Sequence, residues 1–341
     1  MPLSWEKMKY PVAVVQPKPA LNVFWCLTDF CNFRCNYCPP FLHCGDHHQG
    51  RSPGFPTDKE LDKFLDDLVT KHANGRKLIV QLSGGEPTLH PRLPDIIRKL
   101  KRHDAYVGMT TNGSKPEDFW RNILPLNGVT ISIHPEFTKI DRINRISRII
   151  LESKTRLEFN LSCDPNNWEK MKEMYDQLDD DLKYKVNPKI LEYLTEDSLK
   201  EKHKPLVRMN YEYEEQQKEW MSSIVERKKQ NSQKTAETSA NQFPSSKLVF
   251  SDGSTLPLIG NANLAKMNLN GWNQMKGWKC NVGSESINIY SNGEVWAGIC
   301  KSKFLGHICT FELEKDHIVC QVPYCLSSSD LKVNKRKIGL S

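Results

Sequence analysis

ALNVFWCLTDFCNFRCNYC, residues 20–38, joins an apolar run to a loop that carries three cysteines. Ala20 to Leu27 has the continuous apolarity of a strand buried on both faces. Cys31, Cys35 and Cys38 follow at once. Three thiols that close cannot all pair with one another, and they leave a tetrahedral site one ligand short. An enzyme, a zinc-stapled module and a protein rich in ordinary thiols are all compatible with this unit alone.

Downstream the pattern alternates. Thr57 and Glu60 form a capping box ahead of Leu61, Phe64, Leu65, Leu68 and Val69, which share one helix face. Strand KLIVQL (77–82), helix LPDIIRKLKR (93–102) and strand YVGMTT (106–111) come next. A helix near 116–124 leads to strand GVTISI (128–133), then a helix around 139–153 and strand RLEFNLS (156–162). A helix with Trp168, Met171, Tyr175 and Leu178 precedes KYKVNP (183–188). Such alternation predicts parallel strands with helical crossovers, an α/β fold and a partial (β/α)6 TIM-type barrel open along one side. In such folds the working residues stand where strands end. The cysteine loop, SGGEP and TTNG all follow strands and would meet at one mouth.

Beyond the barrel (20–190), with its N-terminal extension (1–19), the composition changes. Residues 191–246 are polar and charged, a helix grading into a linker. Short β-like pieces return in 247–341, with SDG and SNG as hairpin turns, and predict a small cysteine-rich α+β domain.

The chain has 341 residues, 38% of them hydrophobic and 26% charged, with no apolar run near the ~18 residues of a membrane span. Its first residues lack the features of a signal peptide, so a cytoplasmic location and no membrane partner are expected. The charge of +7 is mild and intermixed, and no nucleic-acid motif is present, so nucleic acid is not an expected partner. The basic tail Lys332, Lys335, Arg336 and Lys337 reads as a solvated terminus. Eleven cysteines in a reducing compartment point away from disulfides and toward metal or iron–sulfur ligation.

The spacing of Cys31, Cys35 and Cys38 can hold three irons of a four-iron, four-sulfur cluster and leave the fourth open, as catalytic metal centres require. Zinc completed by Cys26, Cys44 or His43 is the alternative. Two glycines after a buried strand, Gly84 and Gly85, let a ligand approach the backbone, and Glu86 offers an acceptor for a cationic amine. Cys26 and Cys163 fall in strand patterns and read as buried apolar residues.

CNFRCNYC followed by SGGEPTLHP resembles the radical S-adenosylmethionine (radical SAM) superfamily in motif and order, over roughly residues 20–190. The resemblance implies that Cys31, Cys35 and Cys38 hold a 4Fe-4S cluster whose open iron is chelated by S-adenosyl-L-methionine. It places Tyr37 against the adenine, Gly84, Gly85 and Glu86 near the methionine amine, and Ser132 at a ribose or carboxylate contact. Asn112 and Asn160 would face the same mouth. It also implies an enzyme of oxidoreductase type, in which a 5′-deoxyadenosyl radical removes hydrogen from an unactivated C–H bond of a small molecule or peptide. The electron would come from a one-electron reductant such as flavodoxin or ferredoxin.

Cys280, Cys300, Cys309, Cys320 and Cys325 gather near the C-terminus around the SNG hairpin. This segment resembles the twitch or SPASM extension, although Gly293 lies further from Cys300 than that pattern has it. The resemblance implies an auxiliary 4Fe-4S cluster on Cys280, Cys300, Cys320 and Cys325, with Cys309 as substitute, accepting the electron left after hydrogen abstraction. Dehydrogenation or cross-linking would result. A zinc-stapled binding module without catalysis is the competing reading.

Overall fold

The structure, a computed structural model, describes residues 9–18, 20–38, 56–194, 208–235, 246–258, 267, 270–325, 327 and 329–339. The alternative ligands His43 and Cys44 lie outside them.

In chain order, β1 (Pro11–Val15) and β2 (Ala20–Thr28) precede α1 (Asp58–Asp67) and β3 (Lys77–Gly84). Then come α2 (Leu93–Arg102), β4 (Tyr106–Thr111), α3 (Glu117–Ile123), β5 (Gly128–Ile133), α4 (Ile140–Glu152) and β6 (Arg156–Cys163). These are followed by α5 (Trp168–Asp176), α6 (Asp180–Lys183), β7 (Val186–Ile190), β8 (Glu192–Leu194), β9 (Arg208–Asn210) and α7 (Glu215–Thr235). The last segment supplies β10 (Lys247–Phe250), β11 (Thr255–Pro257), β12 (Lys279–Cys280), β13 (Ser286–Ile289), β14 (Glu294–Ala297), β15 (Phe304–His307), β16 (Ile318–Val319) and β17 (Lys335–Arg336).

Strands β2 to β7 lie side by side in chain order and all run parallel. A helix or helical segment links each to the next, so the architecture is mixed α/β. The capping box forms as read: the Glu60 N–H donates to the Thr57 hydroxyl, and the Thr57 N–H donates to Glu60 at 2.8 Å. Helices α2 and α4 bury regular apolar stripes, among them Ile96, Ile97 and Leu100, and Ile143, Ile146 and Ile150. They meet the alternate strand residues Val129, Ile131, Ile133, Phe159 and Leu161 in one core. Gln81, Thr110, Ser132, Glu158 and Asn160 alternate with core residues, so they occupy the opposite, polar face of the sheet.

Three features depart from the local reading. KYKVNP was expected as a strand from 183, but Asp180–Lys183 form a helical turn that buries Leu182, and β7 starts at Val186. The charged segment after β7 yields the helix expected there, α7, but it does not stay at the surface: Met221 and Ile224 enter the core while Trp220 packs edge-on to Trp168 and Tyr175. The C-terminal segment divides between two sheets. Its β13 pairs parallel to β2, from Ser286 opposite Asn22 to Ile289 opposite Trp25, and β14 and β15 continue the same sheet. An open edge on β2 would leave unpaired backbone groups, and the wholly buried SINI strand covers it.

Strands β8 and β9 form a two-stranded antiparallel sheet, and the other strands make a six-stranded antiparallel sheet in the order β11, β10, β1, β17, β12, β16. The N-terminal strand β1 is therefore an internal member of the C-terminal sheet. The basic tail is only partly a solvated terminus. Arg336 and Lys337 are exposed, but Lys335 is 4% exposed, because its register opposite Cys280 and Val14 turns it inward.

Candidate functional site

The cysteine loop leaves β2 and the SGGEP loop leaves β3, and the two are locked together by their backbones. The Gly85 N–H donates to Thr28 O at 2.7 Å, and the Glu86 N–H donates to Phe30 O at 2.7 Å. A Cβ at Gly84 would lie 2.2 Å from Thr28 O, and one at Gly85 would lie 2.3 Å from Phe30 O. The glycines are thus required by the neighbouring cysteine loop itself.

Within the loop, Cys31 and Cys35 are buried and Cys38 is partly exposed. The Phe33 N–H donates to the Cys31 sulfur at 3.3 Å, and the Asn112 amide reaches it at 3.8 Å. Burial pushes the Cys31 thiol up to about 11. The Cys35 thiol donates to Cys38, which raises Cys35 and lowers Cys38. The Asn36 N–H donates to Glu136, just beyond β5, and pins the loop across the sheet.

Glu86 is held by internal donors. Its side chain is fully buried, and its carboxylate accepts from the Thr88 N–H and hydroxyl, the Thr111 hydroxyl and the Asn112 N–H, at 2.6 to 3.0 Å. In this structure it is an internal brace between the ends of β3 and β4. Burial raises its pKa against the pull of these bonds. The same brace fixes Asn112, whose amide also donates to Asn32 at 2.9 Å.

Tyr37 and His134 share a hydrogen bond of 2.7 Å and stack at 6.0 Å. Phe33 stacks on Phe137 and meets His134 edge-on. His134 was missed in the sequence, although HP directly after GVTISI is a polar group at a strand end, the position that signals function in parallel sheets. Ser132 and Asn160 stand opposite each other across β5 and β6, and Asn160 faces Asn187 on β7. Tyr37, Asn112 and Ser132 lie in or beside the C-terminal ends of β2, β4 and β5, and Asn160 lies three residues before the end of β6.

Burial holds His134 down at about 4, from 6.5. A histidine with a depressed folded pKa contributes its full stability above pH 6.5 and loses it as the pH falls toward 4. The melting temperature of the protein should fall across that window. In His134→Gln, which keeps an acceptor but cannot take the proton, the fall should be shallower; parallel curves would contradict this.

At the other sheet, Cys280, Cys320 and Cys325 are buried, and Cys300 is partly so. Each lies within electrostatic reach of others in the set. The Cys320 N–H donates to Trp278 O at 2.8 Å, and the Cys325 N–H donates to Asn273 O at 2.9 Å, so the backbone fixes both. Cys309 is elsewhere, beside Glu60, Lys63 and Asp67 of the α1 region. It is not grouped with the other four.

Two charged residues share the quartet's surroundings and were not singled out as site residues. Asp330 accepts from Ser286, from the Ile299 N–H at 2.8 Å and from the Cys300 N–H at 3.3 Å. The Lys335 ammonium donates to Asp330 O and faces Cys280, Cys300 and Cys325, whose proximity raises its pKa against burial. An all-sulfur donor set with a cation beside it suits a group that binds thiolates, either an iron–sulfur cluster or zinc. Among the described residues, no three His, Cys, Asp or Glu side chains stand grouped so as to hold one metal ion.

A model of the Radical SAM superfamily matches residues 25–158. A GTP 3',8-cyclase of Limosilactobacillus fermentum is 38% identical over 90 residues, 26% of this chain and 25% of the relative. A probable GTP 3',8-cyclase of Thermococcus kodakarensis is 28% identical over 122 residues, 34% of this chain and 36% of the relative. The matches therefore span only about a quarter to a third of these relatives' length. Among solved structures, one described as native anSMEcpe with bound AdoMet aligns with a TM-score of 0.50 and 17% identity, covering 86% of this chain and 79% of that one. That similarity is one of fold. No helix among the described residues is long and apolar enough to cross a membrane.

Proposed function

We propose that the chain is a radical SAM enzyme that abstracts hydrogen from an unactivated C–H bond of a small-molecule or peptide substrate. The observation that carries this is the backbone lock between the cysteine loop and SGGEP at the ends of adjacent parallel strands. The six-strand parallel unit is read as a partial (β/α)6 barrel, with these loops at its mouth.

Cys31, Cys35 and Cys38 would hold a 4Fe-4S cluster, and the donors on the Cys31 sulfur fit a bound thiolate. When bound, the cluster and S-adenosyl-L-methionine supply a 5′-deoxyadenosyl radical. The protein's part is to position and to exclude water. Tyr37, held by His134, would present a flat surface to the adenine, and Ser132 and Asn160 would offer hydrogen bonds to the ribose or carboxylate. Gly84 and Gly85 would keep the backbone low beneath the methionine end, while Glu86 braces that loop from below.

Cys280, Cys300, Cys320 and Cys325 are assigned to an auxiliary 4Fe-4S cluster, with Lys335 as its nearby positive charge. A cluster with four protein ligands has no open iron, which suits electron acceptance after hydrogen abstraction. The cyclase names of the relatives point to ring formation as one use of such a radical; the substrate here is a separate question. Anaerobic reconstitution should give roughly eight irons per chain with matching acid-labile sulfide. Stoichiometric zinc with no sulfide would favour the zinc-stapled module and overturn the proposal.

A further inference from the structure

The polar face of the parallel sheet carries a group of charges at the end of the strands away from the cysteine loop. Strand alternation places Arg156, Glu158 and Asn160 of β6 on that face, with Asn187 of β7 beside them. Arg156 donates to Glu158 Oε1, and the Lys228 ammonium of α7 stands 3.8 Å from the same oxygen. Lys228 also donates to Asn187 Oδ1 at 2.7 Å, and the Asn187 amide donates to Glu158 at 3.3 Å. Lys332 joins them from the helical turn Asp330–Lys332 of the C-terminal segment. It belongs to the basic run read as a solvated tail, yet it is half-buried. Its ammonium has no hydrogen-bond or ion-pair partner among the described residues. The charges acting on it there are Arg156, which repels, and Glu158, which Arg156 already engages. Burial, and then Arg156, hold the Lys332 pKa below the ordinary lysine value. Like charges gathered in a partly buried place repel one another, and an anion relieves that cost.

We propose that Arg156, Lys228 and Lys332 hold the phosphate of a small phosphorylated substrate, whose reacting carbon lies toward the mouth of the sheet. The proposal rests on the function proposed above. The three cations come from a strand, a helix and a helical turn, so they approach one point from separate directions. A phosphate monoester offers three terminal oxygens to such a set, a carboxylate only two. A guanidinium carries more donors than one carboxylate takes up, so Arg156 can keep Glu158 and still donate to the phosphate. Arg156 is exposed, and the group is therefore reachable from solvent. Asn160, assigned above to the ribose or carboxylate of S-adenosyl-L-methionine, lies about 13 Å further along β6. A sugar phosphate or nucleotide spans that distance.

The test is calorimetric titration of the reconstituted full chain with ribose 5-phosphate, and with ribose, at one fixed ionic strength. The wild type should bind the phosphate ester at least about tenfold more tightly than the free sugar. Lys332→Gln should weaken ribose 5-phosphate at least about tenfold and leave ribose where it was, and Arg156→Gln should act in the same direction. Lys337→Gln removes the same charge from the exposed tail and should bind as the wild type does. Without any probe, Lys332→Gln should melt no lower than the wild type, because it removes a repelled charge. A lower melting temperature would mark Lys332 as a structural cation and overturn the proposal. So would wild-type protein that binds ribose 5-phosphate no better than ribose, or binding that Lys332→Gln leaves unchanged. These wild-type titrations stand whether or not a variant folds. Iron and sulfide are counted on the same preparation. Phosphate binding without an iron–sulfur centre overturns the proposed function alone, and a loaded centre without phosphate preference overturns this inference alone.

Discussion

Gly85→Ala is expected to unfold or loosen the mouth of the parallel sheet and to prevent cluster uptake at Cys31, Cys35 and Cys38. The added methyl carbon would sit 2.3 Å from Phe30 O and 3.0 Å from Asp29 C, both backbone atoms. Neither can step aside, because Gly85 and Glu86 are themselves bonded to the backbone at 28 and 30. Overpacking of this kind costs about 1–3 kcal/mol. Gly84→Ala adds a left-handed backbone, φ +138°, to a contact of 2.2 Å, so a loss of about 3 kcal/mol or more is expected. Gly253→Ala is the control: its φ is +78°, but nothing lies within 4 Å, so it carries conformational strain without collision. Denaturant unfolding and iron content of the three variants decide the matter. Equal stability and equal iron in Gly85→Ala and Gly253→Ala would contradict the account.

Replacing Cys31, Cys35 and Cys38 together with Ala should halve the iron, from roughly eight per chain to roughly four, and leave the C-terminal centre in place. The first set follows β2 of the nine-stranded sheet, whereas Cys280 lies on β12 of the antiparallel sheet and Cys320 and Cys325 follow its β16, packed in a separate apolar cluster. Cys280, Cys320 and Cys325 are fixed by contacts with residues 273–278 and by the pairing of β12 with β16 and β17, which do not involve the first loop. The reciprocal change, Cys320→Ala with Cys325→Ala, should remove the other half, and it should also lower the stability of the antiparallel sheet, since ligation there contributes to folding. Loss of all iron in either variant would mean that the two sets do not form separate centres.

Much of this arrangement was legible in local pattern. Strands β4 and β5 and helix α2 have the limits that alternation and periodicity gave them, and the Thr57 box formed because its two partners are three residues apart. What local pattern does not carry is which distant strand pairs with which. The parallel seating of SINI on β2, and the antiparallel seating of PVAVV between β10 and β17, depend on edges formed by other segments. Lys335 lies in a basic run that reads as a solvated tail; only its register opposite Cys280 turns it inward. The site was legible as residue types and order. Its wiring was not, since Glu86 offers the same carboxylate whether it faces a ligand or four internal donors.

In the proposed function, Cys31, Cys35 and Cys38 leave one iron open to S-adenosyl-L-methionine, and every later step depends on it. The direct measurement is 5′-deoxyadenosine formed anaerobically by reconstituted, reduced protein supplied with S-adenosyl-L-methionine. The wild type, and a folded Cys320→Ala/Cys325→Ala variant, should form it slowly even without substrate, and the Cys31/Cys35/Cys38 triple Ala variant should form none. No 5′-deoxyadenosine from fully loaded wild-type protein, or undiminished formation by the triple variant, would contradict the claim.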